Sequence, residues 1–147
     1  MQILIAHRGN INGPNPAREN TPDYIDEAIL ADYDVEIDVW VINNEIYLGH
    51  DKPETLITID FLMERTMWLW CHAKNLDALV LLLKHKLHTF SHDNDDYILT
   101  SKGIIWAYPG KKITNDTICV MPERTTNYSK YDILNAKGIC SDYISEY

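Results

Sequence analysis

The sequence predicts an α/β fold, an abbreviated TIM-type (β/α) barrel whose later helices are shortened or missing. Three observations lead there. Strand and helix patterns alternate β-α-β-α-β-α through the first half of the chain, the order that builds a mainly parallel sheet. The strands carry aliphatic residues on one face and polar ones on the other, as suits a barrel whose interior differs from its helix-covered exterior. With 147 residues the chain forms a single domain over 1–147, too short for eight full units, which take about 250 residues.

Residues 2–7 read as a buried strand with Ile3, Ile5 and His7 on one face. Arg8-Gly9-Asn10 opens a loop rich in Asn, Gly and Pro. Thr21-Pro22 then starts a helix, with Thr as N-cap and Pro at the first helical position. Ile25, Ala28 and Ile29 follow at helical spacing. The stretch 35–41 alternates strictly, sending Val35, Ile37, Val39 and Val41 one way and Glu36, Asp38 and Trp40 the other. Asn43-Asn44 turns the chain into a short strand over 45–48, and Thr58 caps a second helix.

Residues 67–73 repeat the pattern of 35–41, with Trp68, Trp70, His72 and Lys74 sharing a face. Asn75 caps the clearest helix, whose stripe is Leu76, Leu79, Val80 and Leu83, with Lys84 and Lys86 near its C-terminal end. Short strand-like runs follow at 88–91, 104–108, 118–121 and 138–141, with one helix between them at 129–136. Trp40, Trp68 and Trp70 are expected to fill the interior, Trp106 and Tyr108 to line a pocket mouth, and His85 and His88 to lie on the surface. The run His92-Asp93-Asn94-Asp95-Asp96 reads as a solvated loop.

Composition narrows the function. A net charge of −9 argues against nucleic acid as a partner, because neutralising phosphates needs a basic surface. No apolar run reaches the roughly 18 residues of a membrane span, and the first residues carry no basic segment of a signal peptide. Three cysteines without a metal-knuckle spacing read as reduced, mostly buried thiols, and the expected setting is the cytoplasm. Outer helices missing from a barrel would leave apolar surface, so a homo-oligomer is expected.

Glu36 and Asp38 lie one strand repeat apart, about 7 Å, and project the same way. Burying both requires a neutralising partner, and a divalent cation with oxygen ligands supplies one. Ala6-His7-Arg8-Gly9 lies upstream and Leu48-Gly49-His50-Asp51 downstream, so two histidines bracket the pair. In a barrel, residues at the C-terminal strand ends gather into one site; His7, Arg8, Asp38, His72 and Lys74 all fall there.

Taken in order, His7-Arg8-Gly9, Arg18-Glu19-Asn20-Thr21, Glu36-Ile37-Asp38 and His50-Asp51 resemble the glycerophosphodiester phosphodiesterase family, a PLC-like phosphodiesterase barrel, with its H-R-G, P-E-N-T, E-x-D and H-D motifs. The likeness covers the first half well and the second half loosely, through Trp70–Lys74 and a last strand ending in Asp142. It implies that His7 and His50 are the acid/base pair and that Glu36 and Asp38 bind a divalent cation. It further implies that Arg8 and Lys74 contact phosphate and that Glu19 and Asn20 shape the site, Glu19 by orienting Arg8 or reaching the metal. The family's third metal ligand is a Glu, and His72 stands there. Mg²⁺ or Ca²⁺ follows from the family, while an imidazole ligand suits Mn²⁺ or Zn²⁺ better; His92, Asp93 and Glu123 are alternative ligand sources.

The expected function is therefore metal-dependent hydrolysis of a small glycerophosphodiester. The alternatives are a non-catalytic member that binds a phosphoester or a partner protein, and a lyase releasing a cyclic phosphate.

Overall fold

A computed structural model describes residues 1–147. In chain order the elements are β1 (Ile3–His7), α1 (Pro22–Leu30), β2 (Asp34–Ile42), β3 (Glu45–Leu48), β4 (Thr55–Ile57), α2 (Ile59–Glu64) and β5 (Leu69–Ala73). There follow α3 (Leu76–Lys84), β6 (Thr89–Phe90), β7 (Tyr97–Leu99), β8 (Ile105–Ala107), β9 (Thr117–Val120), α4 (Lys130–Asn135) and β10 (Gly138–Ser141).

All ten strands belong to one curled mixed sheet, and this corrects the barrel expectation. Seven strands run parallel in the order β6-β5-β2-β1-β10-β9-β8, and β7 closes antiparallel onto β8. The outer strands β6 and β7 do not pair with each other, so the sheet curls without closing. Alternation also fails: β3 and β4 form an antiparallel meander on β2, and no helix separates β6, β7, β8 and β9. A TIM barrel needs a crossover helix after every strand and a closed ring. Residues 91–116 hold too few residues between their short strands for such crossovers.

Local chemistry explains most of the individual elements. Asn43 and Asn44 both take left-handed φ, 51° and 64°, which is what a two-residue turn between twisted strands requires. Thr58 Oγ1 accepts from the Phe61 amide and Asn75 Oδ1 from the Ala78 amide, so both are true N-caps. Thr21 stands at the N-cap of α1 but does not cap it; its hydroxyl donates to the Arg18 carbonyl at 2.6 Å. Pro22 at the first position carries the start instead.

The sheet has two apolar faces. On the convex side Val35, Ile37, Val39, Leu69 and Cys71 pack beneath Ile25, Ala28, Leu62, Ala78 and Leu82 from α1, α2 and α3. Each such Leu or Ile contributes about 1.5–3 kcal/mol through burial. On the concave side Ile5, Trp70, Phe90, Trp106, Ile118, Val120 and Cys140 form a smaller core. All three cysteines are free and buried. No helix is long and apolar enough to cross a membrane.

Tryptophans and histidines depart from expectation at two places. Trp68 precedes β5 and is 39% exposed rather than interior, because the strand begins only at Leu69. His88 is buried rather than on the surface: its Nε2 bonds the Thr100 hydroxyl at 2.7 Å and its ring lies 4.0 Å from that of Trp70. Burial, with Lys102 nearby, pushes the His88 imidazole down to about 4.

Candidate functional site

Above the concave core, at the C-terminal strand ends, lies a cavity of about 370 Å³. His7, Arg8, Glu36, Asp38, His50, His72 and Lys74 all line it, so seven of the nine residues singled out from the sequence meet at one place. Glu19 and Asn20 stand behind them and hold them.

β2 explains the gathering. β1 pairs one edge of β2 through Asp34–Glu36, and where β1 ends β3 takes over that edge from Val39 onward. β5 runs along the opposite edge, setting His72 beside Asp38 in register. The residue after β1 is Arg8 and the segment after β3 holds His50; both are thereby brought over the same carboxylates. Gly9 makes the turn possible, because at φ 90° an added Cβ would stand 2.9 Å from the Tyr24 ring and 3.2 Å from its carbonyl oxygen. Arg8 and Asn20 also take left-handed φ, 55° and 56°, strain that non-glycine residues hold only where their neighbours fix them.

Asp38 is the best-supported side chain in the site. Asn20 clamps it twice, the amide nitrogen donating to Oδ2 at 2.9 Å and the amide oxygen accepting from the Asp38 backbone N–H at 2.9 Å. His72 Nδ1 bonds Oδ1 at 3.0 Å, Lys74 Nζ lies 3.7 Å from Oδ1, and Arg8 Nε 3.3 Å from Oδ2. The Arg8 Nε contact is electrostatic only, since the N–H is not aligned for a hydrogen bond. Burial by itself would raise the Asp38 carboxyl, but His72, Asn20 and Arg8 together hold it well below the usual carboxylate range.

Glu36 is treated in the opposite way. Its Oε2 is buried without a hydrogen-bond partner, and the nearest base is His7 Nε2 at 3.7 Å. Burial first, and Asp38 second, push its carboxyl well above the usual range. Two carboxylates on one strand face therefore differ sharply in protonation.

His7 is oriented from behind. Its Nδ1 donates to Asp142 Oδ1 at 2.7 Å, and Asn10 donates to the same oxygen at 2.8 Å. Burial opposes ionisation of Asp142, yet its hydrogen bond to His7 leads the effects that hold the carboxyl below the ordinary value. With Nδ1 committed, Nε2 faces the cavity as the free nitrogen. Glu19 fixes Arg8, accepting from Nη1 at 3.3 Å while also accepting from Asn10 at 2.8 Å; it does not join the carboxylate pair. His50 is more loosely held at the rim, bonded through Nδ1 to the exposed Asp51 at 2.7 Å.

One atom from each of Glu36, Asp38 and His72 lies within 4.8 Å of the other two. Ligand atoms around one ion at 2.0–2.3 Å are separated by roughly 4.6 Å or less, so the set fits a divalent cation with little adjustment. The orphaned Glu36 oxygen is what such an ion would satisfy. Two oxygens and one imidazole nitrogen favour Mn²⁺ or Zn²⁺ over Ca²⁺. Of the alternative ligand sources, Glu123 is engaged elsewhere, accepting from the Ser141 hydroxyl and the Asp142 amide at 3.0 Å each.

Trp106 and Tyr108 line the cavity, as expected of a pocket mouth, whereas the parts played by Asp142 and Arg124 went unrecognised in the sequence. Asp142 supports the cavity from behind, and Arg124 and His92 complete its wall with Tyr108. His92 belongs to the cavity wall rather than to a solvated loop: its ring stacks on Tyr108 at 4.2 Å and lies 5.1 Å from that of His72. Its Nδ1 is buried without a partner. Burial, then His72, lowers its pKa, which leaves a neutral imidazole. Strand periodicity carries the signal for two of these. His88-Phe90-His92 and Gly138-Cys140-Asp142 continue the inward parity of β6 and β10 one step past each strand end.

Neither a family model, nor a curated protein, nor a solved structure matches this chain.

Proposed function

We propose that this chain is a metal-dependent phosphodiesterase acting on a small glycerophosphodiester-type substrate. The observation that carries the reading is the convergence, in one cavity, of a Glu36–Asp38–His72 cation set, two phosphate-binding cations and two histidines. Arg8 and Lys74, already beside Asp38, take the non-bridging oxygens of the phosphodiester. His7 Nε2 moves the proton of the attacking hydroxyl or water, and Asp142 steadies the imidazolium that forms. His50, at the open rim, protonates the departing alkoxide. A divalent cation bound at Glu36, Asp38 and His72 would withdraw charge from the phosphoryl oxygens and acidify a coordinated hydroxyl. His92 and Tyr108 on the far wall limit the water that competes for the site.

Hydrolysis of glycerophosphodiesters by the purified protein, with and without Mg²⁺, Ca²⁺, Mn²⁺ or Zn²⁺, tests the reading. Turnover that depends on the cation and disappears in His7→Ala supports it; no turnover with any of the four defeats it. Phosphorus NMR of the products separates a free phosphomonoester from a cyclic phosphate released by a lyase.

One observation favours a second reading, a phosphoester-binding protein without turnover. Asp38 already has Arg8, His72 and Lys74 around it, so the cavity can hold an anion with no metal. Phosphoester binding that is unchanged by a chelator and unaccompanied by turnover distinguishes this case.

A further inference from the structure

We propose that α3 is the interface of a homodimer, in which it pairs antiparallel with α3 of a second copy. The helix reads Leu76-Asp77-Ala78-Leu79-Val80-Leu81-Leu82-Leu83-Lys84, apolar at every position except Asp77 and Lys84. A helix apolar all round is a buried helix. Only one side of this one is covered: Ala78 and Leu82 are buried where α3 packs on β2, β5 and β6. Leu76, Val80 and Leu83 follow at spacings of four and three, the period of a helix–helix seam, and are 71%, 58% and 47% exposed.

The two charges identify the occupant. Asp77 and Lys84 are both exposed, seven residues apart, and so stand on the same flank of the stripe at its two ends. Antiparallel self-pairing about a two-fold axis near Val80 sets Asp77 of each copy against Lys84 of the other. A parallel pair would carry the charged flank of one copy to the opposite side of the seam from that of the other, where Asp77 and Lys84 do not meet. The helix dipoles favour the same choice. An isologous contact of this kind needs no complementary patch elsewhere on the molecule.

Beyond the Asp77 and Lys84 flank, on the Leu81 side of α3, lies a groove in which Leu56, Ile59 and Leu81 alternate with Asn44, Glu45 and His85. The proposed contact leaves the catalytic cavity open. Lys74 follows β5, and α3 then runs back along the convex face, on the other side of the sheet from Glu36 and Asp38.

Sedimentation velocity on the full chain, from about 5 to 500 µM, spans the range in which a small interface dissociates. The wild type is expected to pass from monomer to dimer within it. Val80→Glu, a surface change that should leave the far-UV spectrum unaltered, is expected to raise the dimer dissociation constant at least about 30-fold. Asp77→Lys should raise it about fivefold, and Asp77→Lys combined with Lys84→Asp should return it to within about threefold of wild type. A wild type that stays monomeric throughout overturns the proposal, as does a Val80→Glu variant that still dimerises. A double swap no better than the single swap overturns the antiparallel register. If the monomeric wild type instead cosediments with phosphatidylglycerol vesicles, the face belongs to a lipid surface and the proposal fails.

Discussion

The two halves of the cavity are built on different principles. The half from β1, β2 and β5 is charged, and nearly every polar atom in it has a named partner: Asn20 and His72 on Asp38, Glu19 on Arg8, Asp142 on His7. The half contributed from β6 onward is a run of packed rings, Phe90 stacked on His72 at 5.0 Å and tilted against Trp106 at 4.9 Å, then His92 stacked on Tyr108 at 4.2 Å. The first arrangement fixes charge in advance at a known place. The second fixes shape and keeps water out, which strengthens the charges opposite. The charged half leaves two buried polar atoms without a hydrogen bond, Arg8 Nε and Glu36 Oε2, and the aromatic half leaves one, His92 Nδ1. Arg8 Nε still has the Asp38 carboxylate 3.3 Å away, so Glu36 Oε2 and His92 Nδ1 are the two that direct attention.

Substitutions can break this contrast, beginning on the charged side. His7→Ala should lower kcat/KM about 10³-fold, and Asp142→Asn about 10²-fold by releasing the ring from its orientation; steady-state kinetics on the responsive substrate checks both. Asp38→Ala should cost about 3–5 kcal/mol in a urea melt, because Arg8, His72 and Lys74 lose their common anion. Glu36→Gln, one strand repeat away, should change stability by less than about 1 kcal/mol, since Oε2 has no hydrogen bond to lose and His7 Nε2 stands 3.7 Å off. It should nonetheless weaken Mn²⁺ binding by about tenfold or more in a calorimetric titration. Equal stability losses at the two positions would remove the distinction drawn between them.

Smaller effects are expected on the aromatic side. His88 binds its proton near pH 4 in the folded chain, against about 6.5 when unfolded. The unfolded state therefore takes up more protons between those values, and stability should be full above about pH 6.5 and fall as pH drops toward 4. The loss at this one group should approach about 3 kcal/mol, and His88→Gln should remove it from the acid limb of a stability profile. His92→Phe keeps the stack and deletes the unpaired nitrogen; KM is expected to rise about fivefold with kcat unchanged. A fall in kcat instead would move His92 from the wall into the chemistry.

What could be seen in the sequence follows the range of each interaction. The carboxylate pair, the Asn43-Asn44 turn and the caps at Thr58 and Asn75 rest on residues a few positions apart, and all were readable. The motif order also brought His7, Glu36, Asp38 and His50 together correctly, because their strands are short neighbours on one edge of β2. Sheet closure was not readable. It depends on whether β6 meets β7, and their shortness, two and three residues, gives a periodicity too brief to interpret. Asp142 was missed as the partner of His7 because the two are 135 residues apart in sequence. Trp68 was misplaced because β5 begins at Leu69, two residues later than the pattern from Met67 implied, which leaves that side chain outside the sheet.

The pairing of β1 with β10 has a consequence in time. Ile3 is in register with Gly138, so the central pair of the sheet joins segments separated by nearly the whole described chain. Such a contact is among the slowest to form. During synthesis β1 and β2 can meet early, and Glu36 and Asp38 can already lie side by side. His7, however, gains its orienting carboxylate only when β10 docks and delivers Asp142. The chain thus assembles its charge before it orients His7, and a ribosome-bound intermediate lacking β10 should hold that imidazole without its carboxylate partner.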